Sequence, residues 1–223
     1  MTTAGLKDAL KRVLPAPAVE VLRGCQGMPA ATALTYLRLR LWRTLGLRSD
    51  RSIVRRVRPE SVLFVCHGNI MRSPMAAEVF RLRMAMFERT VGVASAGTRT
   101  TNGRPADSRA LSAAKGFGVS LAAHRSRSIT AALVAHSDLI CVMDYRNEVD
   151  VLTRFPGSAR KTILLGGVDG SSETGPEIPD PYSLGPDDVT DCYRRLIPAV
   201  DALVHALRLD TVGEGTNEKR ADP

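Results

Sequence analysis

The chain has 223 residues, of which 44% are hydrophobic and 24% charged; this suits one good-sized domain with an appendage, or two small ones. No run approaches the ~18 apolar residues of a membrane-spanning helix, and the opening MTTAGLKDALKRVLPAP has no apolar stretch of signal-peptide type, so the cytoplasm is the expected compartment. Cys25, Cys66, Cys141 and Cys192 stand at irregular distances with no CxxC pair, and the four histidines are scattered. That excludes a disulfide framework and a zinc-ligand set, so neither metal nor cofactor is expected.

The formal charge of +8 is unevenly spread. Residues 1–58 carry twelve Lys and Arg against three acids (Asp8, Glu20 and Asp50), a balance of +9, which leaves −1 for residues 59–223. The charge step and the RSDRSIVRRVRP stretch place a boundary at Arg58-Pro59. The expected organisation is a basic extension over 1–58, a nearly neutral domain over 59–209 and a solvated tail over 210–223.

Within the extension, Leu34, Leu37, Leu39, Leu41, Leu45 and Leu47 alternate with Arg38, Arg40, Arg43 and Arg48, with Tyr36 and Trp42 among them. The pattern predicts a helix, although Leu-Arg alternation at period two leaves a strand open. A basic amphipathic helix suits an anionic surface, here the inner face of the membrane, or a partner protein. A helix packed on the main domain with a solvated Arg face carries as much weight. A nucleic-acid arm fits the charge alone, and nucleic acid is not the expected partner.

From residue 59 on, strand and helix patterns alternate. Ser61–Val65 reads as a strand, and Ser73 and Pro74 as the N-cap and first residue of a helix running through MAAEVFRLRMAMF. Strand chemistry follows at 91–95, a helix at 107–116, a buried strand at 138–143, a helix from Tyr145 to Leu152 and a fourth strand at 161–165. Gly166 to Pro179 reads as a long loop. The last helix presents Val189, Cys192, Tyr193, Leu196, Val200, Leu203 and Leu207 on one face, with Pro198 expected to kink it near Arg194. Alternation of this kind predicts a parallel sheet covered on both sides.

The chemistry concentrates between the first strand and its helix, in Cys66-His67-Gly68-Asn69-Ile70-Met71-Arg72. A loop joining a strand's carboxyl end to a helix N-terminus gathers backbone N–H groups in one concavity, and the helix dipole adds positive potential, so the site favours a dianion such as phosphate. Gly68 lets the backbone approach closely, and Asn69 tolerates the left-handed turn such a nest needs. A cysteine facing those groups is favoured as the thiolate. Arg72 can hold two phosphoryl oxygens at once. A nucleophile beneath a phosphate cradle implies a phosphocysteine intermediate. Displacing a phenol also needs a proton donor, and Asp180 in Ile178-Pro179-Asp180-Pro181-Tyr182, its loop fixed by two prolines, is the candidate. Tyr182 is the candidate wall for a ring-bearing substrate.

Together, VLFVCHGNIMRSPMAAEVF and PDPY resemble the nucleophile loop and general-acid loop of the low-molecular-weight protein tyrosine phosphatase family. SAGT (Ser95–Thr98), GRPAD (Gly103–Asp107), His124-Arg-Ser-Arg127 and DLICVMD (Asp138–Asp144) recur in that family's order, so the resemblance spans about residues 61–209. It implies a flavodoxin-like four-stranded parallel sheet with helices on both faces, and the basic helical extension added in front. It also implies Cys66 as nucleophile, Arg72 as phosphate clamp and Asp180 as general acid and base. Residues 67–72 would bind phosphate through their N–H groups, with Asn69, Ser73, Ser95 and His124 bracing the loop. The substrate implied is a phosphotyrosine protein or small aryl phosphate, with inorganic phosphate as product.

Two positions depart from the family pattern. Met71 stands where the family has a second loop cysteine, and Arg99-Thr100-Thr101-Asn102 lacks an aromatic residue that many members place on the pocket wall. Two other readings compete with the phosphatase. An arsenate reductase would need further cysteines to resolve its adduct, and Cys141 and Cys192 read as packing residues. A non-catalytic phosphoprotein- or nucleic-acid-binding module would have no use for the thiolate or the acid.

Overall fold

The computed structural model describes residues 21, 24–87, 90–169 and 175–212. The chain divides into two units, 1–47 and 48–223. In the first, α1 (Ala30–Thr44) resolves the helix-or-strand ambiguity in favour of the helix. Tyr36 and Leu39 are buried, while Leu34, Leu37, Leu41 and Leu45, spaced three and four apart on the opposite side, are exposed. Arg38 lies 4.0 Å above the Trp42 ring, a cation–π contact that shields part of the indole.

The second unit starts eleven residues before the charge step at 58/59. Arg48 donates to the Ala159 and Thr162 carbonyls (3.1 and 2.6 Å) and pairs with the fully buried Glu148 at 3.1 Å. Asp50, at the start of α2 (Asp50–Val54), accepts from Leu164 N at 3.1 Å. Charge alone assigns this stretch to the basic extension, whereas these side chains are matched to backbone groups more than a hundred residues away.

Four parallel strands, β1 (Ser61–Cys66), β2 (Gly92–Gly97), β3 (Leu139–Val142) and β4 (Thr162–Leu164), pair in the order β2-β1-β3-β4. This is the flavodoxin-like order, with its switch point between β1 and β3. Alternation at period two gives each strand two buried faces. Val62, Phe64 and Cys66 join Leu139, Cys141 and Met143 in the main core, and Leu63, Val65, Ile140 and Val142 are buried on the other side. The main core is closed by α3 (Arg72–Met84) and the long α7 (Pro186–Val212), with Phe64 and Phe80 rings 5.5 Å apart. Further helices of this unit are α4 (Ser108–Gly116), α5 (Ala131–His136) and α6 (Tyr145–Arg154).

Differences from expectation are local. The α7 helix runs unbroken through Pro198, and α5, held by a Thr130 cap, had no strong periodicity to announce it. Helix α3 starts at Arg72 with Met71 at the N-cap, so Ser73 and Pro74 fall inside its first turn. Part of the expected 166–179 loop (170–174), residues 1–20 of the extension and most of the expected tail (213–223) lie outside the described residues. Among the described residues, no helix is long and apolar enough to cross a membrane.

Candidate active site

The site forms where β1 ends. Cys66 is the last residue of that strand, at the switch point, and is 3% exposed. Its Sγ accepts from Asn69 N at 3.2 Å and lies 3.0 Å from Ser73 Oγ. Ser73 therefore does not cap its helix. Its hydroxyl accepts from Asn69 Nδ2 (2.9 Å), and its one proton has the Cys66 sulfur as its nearer target, with Ala96 O at 3.4 Å.

The loop between Cys66 and α3 is held from outside by its carbonyls. Cys66 O accepts from Thr98 N, His67 O from Arg99 N, Ile70 O from Asp107 N, and Met71 O from Tyr193 Oη at 3.2 Å. Asn69 O takes a 2.7 Å hydrogen bond from His124 Nε2. Burial holds His124 below the ordinary histidine value, so its ring stays neutral and donates this proton. In a trans peptide, C=O and the following N–H point in opposite directions. Carbonyls drawn outward at 66, 67, 69, 70 and 71 thus turn the N–H groups of His67, Gly68, Ile70, Met71 and Arg72 toward the concavity. That makes an anion nest of backbone donors.

Asn69 is the hub. It is fully buried, with φ 51°, the left-handed region tolerated best by Gly and Asn. Its Nδ2 donates to Ser73 Oγ and Ser95 Oγ (both 2.9 Å), and its Oδ1 accepts from Arg127 N at 2.9 Å. Gly68, by contrast, is not forced by its surroundings: a Cβ there would meet only the Ile70 side chain, at an ordinary 3.4 Å. The tight approach is at Gly97, where a Cβ would lie 2.8 Å from His67 O.

Arg72 is 1% exposed. Its Nη1 donates to Asp144 Oδ2 (2.7 Å) and Ile178 O (2.9 Å), and its Nη2 pairs with Asp180. Burial works against its charge, but Asp144, Asp180 and Cys66 around it outweigh that and hold the guanidinium above its ordinary value. Asp144 was not expected here. It stands just beyond β3, caps α6 through Asn147 N (2.7 Å) and turns its second oxygen to Arg72.

A pocket of about 190 Å3 opens above the sulfur, lined by Cys66, His67, Gly68, Ile70, Met71 and Arg72 on one side and Asp180 and Tyr182 on the other. Tyr182 is half exposed, and its loop is tied down by Arg109, which donates to the Tyr182 and Leu184 carbonyls (3.2 and 2.7 Å). The loop residues expected to bind and brace, Asn69, Ser73, Ser95 and His124, thus meet around Cys66, and Arg72, Asp180 and Tyr182 meet above it. Cys141 and Cys192 are buried and do not line the pocket; burial pushes the Cys192 thiol up to about 12.

The family described as low molecular weight phosphotyrosine protein phosphatase matches residues 61–212. This chain belongs to that family. The probable low molecular weight protein-tyrosine-phosphatase EpsP of Ralstonia nicotianae is 32% identical over 149 residues, 67% of this chain and 97% of that relative. The crystal structure of the Erwinia amylovora tyrosine phosphatase AmsI is 36% identical with a TM-score of 0.58, covering 66% of this chain and 92% of that one. The YwlE arginine phosphatase of Geobacillus stearothermophilus is 26% identical with a TM-score of 0.62, covering 71% and 99%. The family and its fold make this an enzyme of phosphatase type, with the substrate's leaving group differing among its similar structures.

Proposed function

We propose that the chain hydrolyses aryl phosphate monoesters, phosphotyrosine in proteins foremost, through a phosphocysteine intermediate. The observation that carries this is Cys66 Sγ between an N–H and a hydroxyl, at the floor of the pocket that also holds Arg72 and Asp180. A phosphoryl group entering the nest takes Arg72 from Asp180 as the guanidinium's partner. The Cys66 thiolate then attacks phosphorus in line, the P–O bond to the leaving group breaks, and the Asp180 carboxyl gives its proton to the departing oxygen. In the second step the Asp180 carboxylate takes a proton from water as its oxygen attacks phosphorus. Inorganic phosphate leaves, and the thiolate returns. The loop N–H groups and Arg72 face the equatorial oxygens, where transition-state charge is spread. Asp144 and Tyr193 position Arg72 and the loop without touching the substrate.

Aryl leaving groups suit Tyr182, and the buried packing of Cys141 and Cys192 offers no resolving thiol for arsenate chemistry. Hydrolysis of p-nitrophenyl phosphate and of a phosphotyrosine peptide panel tests the assignment. Activity on neither, or on phosphoarginine alone, would defeat it. Met71 adds a redox expectation: with no thiol beside the nucleophile in its loop, the Cys66 sulfenate oxidises onward instead of forming a loop disulfide. After a brief peroxide pulse, dithiothreitol is expected to restore only a minor part of the activity, and full recovery would contradict this.

For the first unit, the reading is peripheral attachment to an anionic membrane surface from the cytoplasmic side. The exposed Leu34, Leu37, Leu41 and Leu45 stripe supplies apolar area, and the seven Lys and Arg of 1–47 supply the charge. Sedimentation of the full chain with phosphatidylserine vesicles, lost at high salt and in the Leu37→Asp/Leu41→Asp variant, is expected. Equal recovery with neutral vesicles or none at all would point to a partner protein instead.

A further inference from the structure

The pocket mouth holds two guanidiniums that the mechanism above does not use. Arg99 and Arg104 line the same pocket as Cys66 and Asp180, and both are exposed. They stand on the loop after β2, whose Arg99-Thr100-Thr101-Asn102 stretch holds no aromatic residue. Their backbones are pinned. Arg99 N donates to His67 O (2.9 Å), tying it to the phosphate loop itself. Arg104 N donates to Ser126 Oγ (3.1 Å) and Arg104 O accepts from Ser126 N (2.8 Å), just after Gly103 turns the chain at φ 85°.

Their side chains are committed to little. The Arg99 guanidinium, 69% exposed, reaches Asp150 only at 3.6 Å. That of Arg104 makes no hydrogen bond or ion pair among the described residues. Arg72 is the opposite case, buried and answered by two carboxylates. The mouth thus carries two exposed guanidiniums beyond Arg72, one loosely paired with Asp150 and the other within electrostatic range of Asp107.

We propose that Arg99 and Arg104 form a second anion subsite, which selects phosphorylated substrates carrying a further negative group beside the scissile phosphate. This rests on the phosphatase reading of the site. The shared chemistry is an anion within side-chain reach of the phosphoryl ester, supplied either by a flanking carboxylate or by a second phosphate. The open wall leaves room for such a group where a bulky aromatic ring would have enclosed the substrate.

The test measures kcat/KM at low ionic strength on four phosphotyrosine peptides, flanked by Glu, by a second phosphotyrosine, by neutral residues and by Lys. Exposed ion pairs are individually weak and salt-sensitive, so a preference of roughly tenfold for the first two over the neutral peptide is expected, shrinking toward unity in high salt. In Arg99→Gln/Arg104→Gln the ratio is expected to fall near one, and in Arg99→Glu/Arg104→Glu to favour the Lys-flanked peptide. Preference for one anionic peptide but not the other identifies the source of the anion. A parent ratio near one, a preference that survives in the double variants, or an equal loss on all peptides would overturn the subsite. The affinities of the same peptides for Cys66→Ser give a readout without turnover. If the parent fails on p-nitrophenyl phosphate, the phosphatase reading falls, while the affinity ratios still decide the role of the two arginines.

Discussion

Replacing Cys66 by Ser is expected to remove turnover while leaving the anion site in place. The reason is local. The N–H nest is held by the outward carbonyl bonds to Thr98, Arg99, His124, Asp107 and Tyr193, none of which involves the sulfur. Arg72 keeps Asp144, Ile178 O and Asp180. A serine hydroxyl between Asn69 N and Ser73 Oγ fits the same donors, but at neutral pH it supplies no appreciable anion to attack phosphorus. The loss of kcat should exceed about 10³-fold, or roughly 4 kcal/mol of transition-state stabilisation. Orthophosphate or vanadate, followed by calorimetry, should still bind within a few-fold of the parent. Preserved hydrolysis would remove Cys66 from the reaction. Loss of anion binding along with turnover would mean that the cradle itself depends on the sulfur.

How far the site could be read before the fold was known depended on whether its parts were neighbours in the chain. Cys66 to Arg72 is a single strand–loop–helix passage, so its anion chemistry follows from residue order and the rule for strand carboxyl ends. Asp180 showed itself through its two prolines. The parts that arrive from a distance left weaker signals. Asp144 falls between a buried strand and the next helix, and Tyr193 reads as one more apolar position on the last helix. Yet the first holds Arg72 and the second holds Met71 O. Gly97, where a Cβ would lie 2.8 Å from His67 O, stands in the SAGT stretch, but nothing in that stretch shows which backbone comes so close.

For Ser73 the expected bracing position holds, while the N-cap reading does not. Serine before proline ahead of an apolar run is a sound cap signal, but here the hydroxyl is taken by Cys66 and Asn69 of the preceding loop, and the helix starts at Arg72. The four-stranded sheet was legible because parallel strands buried on both faces are continuous apolar runs. The 48–58 segment was not, because Arg48 and Asp50 look solvated until Thr162 and Leu164 are placed beside them.

Asp180→Ala is expected to separate substrates by their leaving groups. A phenol of pKa ~10 leaves as an unstable anion unless a proton arrives as the bond breaks, whereas p-nitrophenolate leaves readily on its own. Loss of the acid should therefore cost about 10²-fold or less on p-nitrophenyl phosphate and approach 10⁴-fold on phenyl phosphate and phosphotyrosine, the range usual for general acid catalysis. A plot of log kcat against leaving-group pKa should be nearly flat for the parent and fall steeply for the variant. Because Asp180 also pairs with Arg72, truncation alone mixes two effects. Asp180→Asn separates them, since its amide oxygen still accepts from the guanidinium while the acid is gone, and Asp144 holds Arg72 in both variants. A steep slope shared by Ala and Asn assigns the effect to the proton. A steep slope in Ala with a flat one in Asn assigns it to the placement of Arg72, and a flat slope in both removes Asp180 from the chemistry.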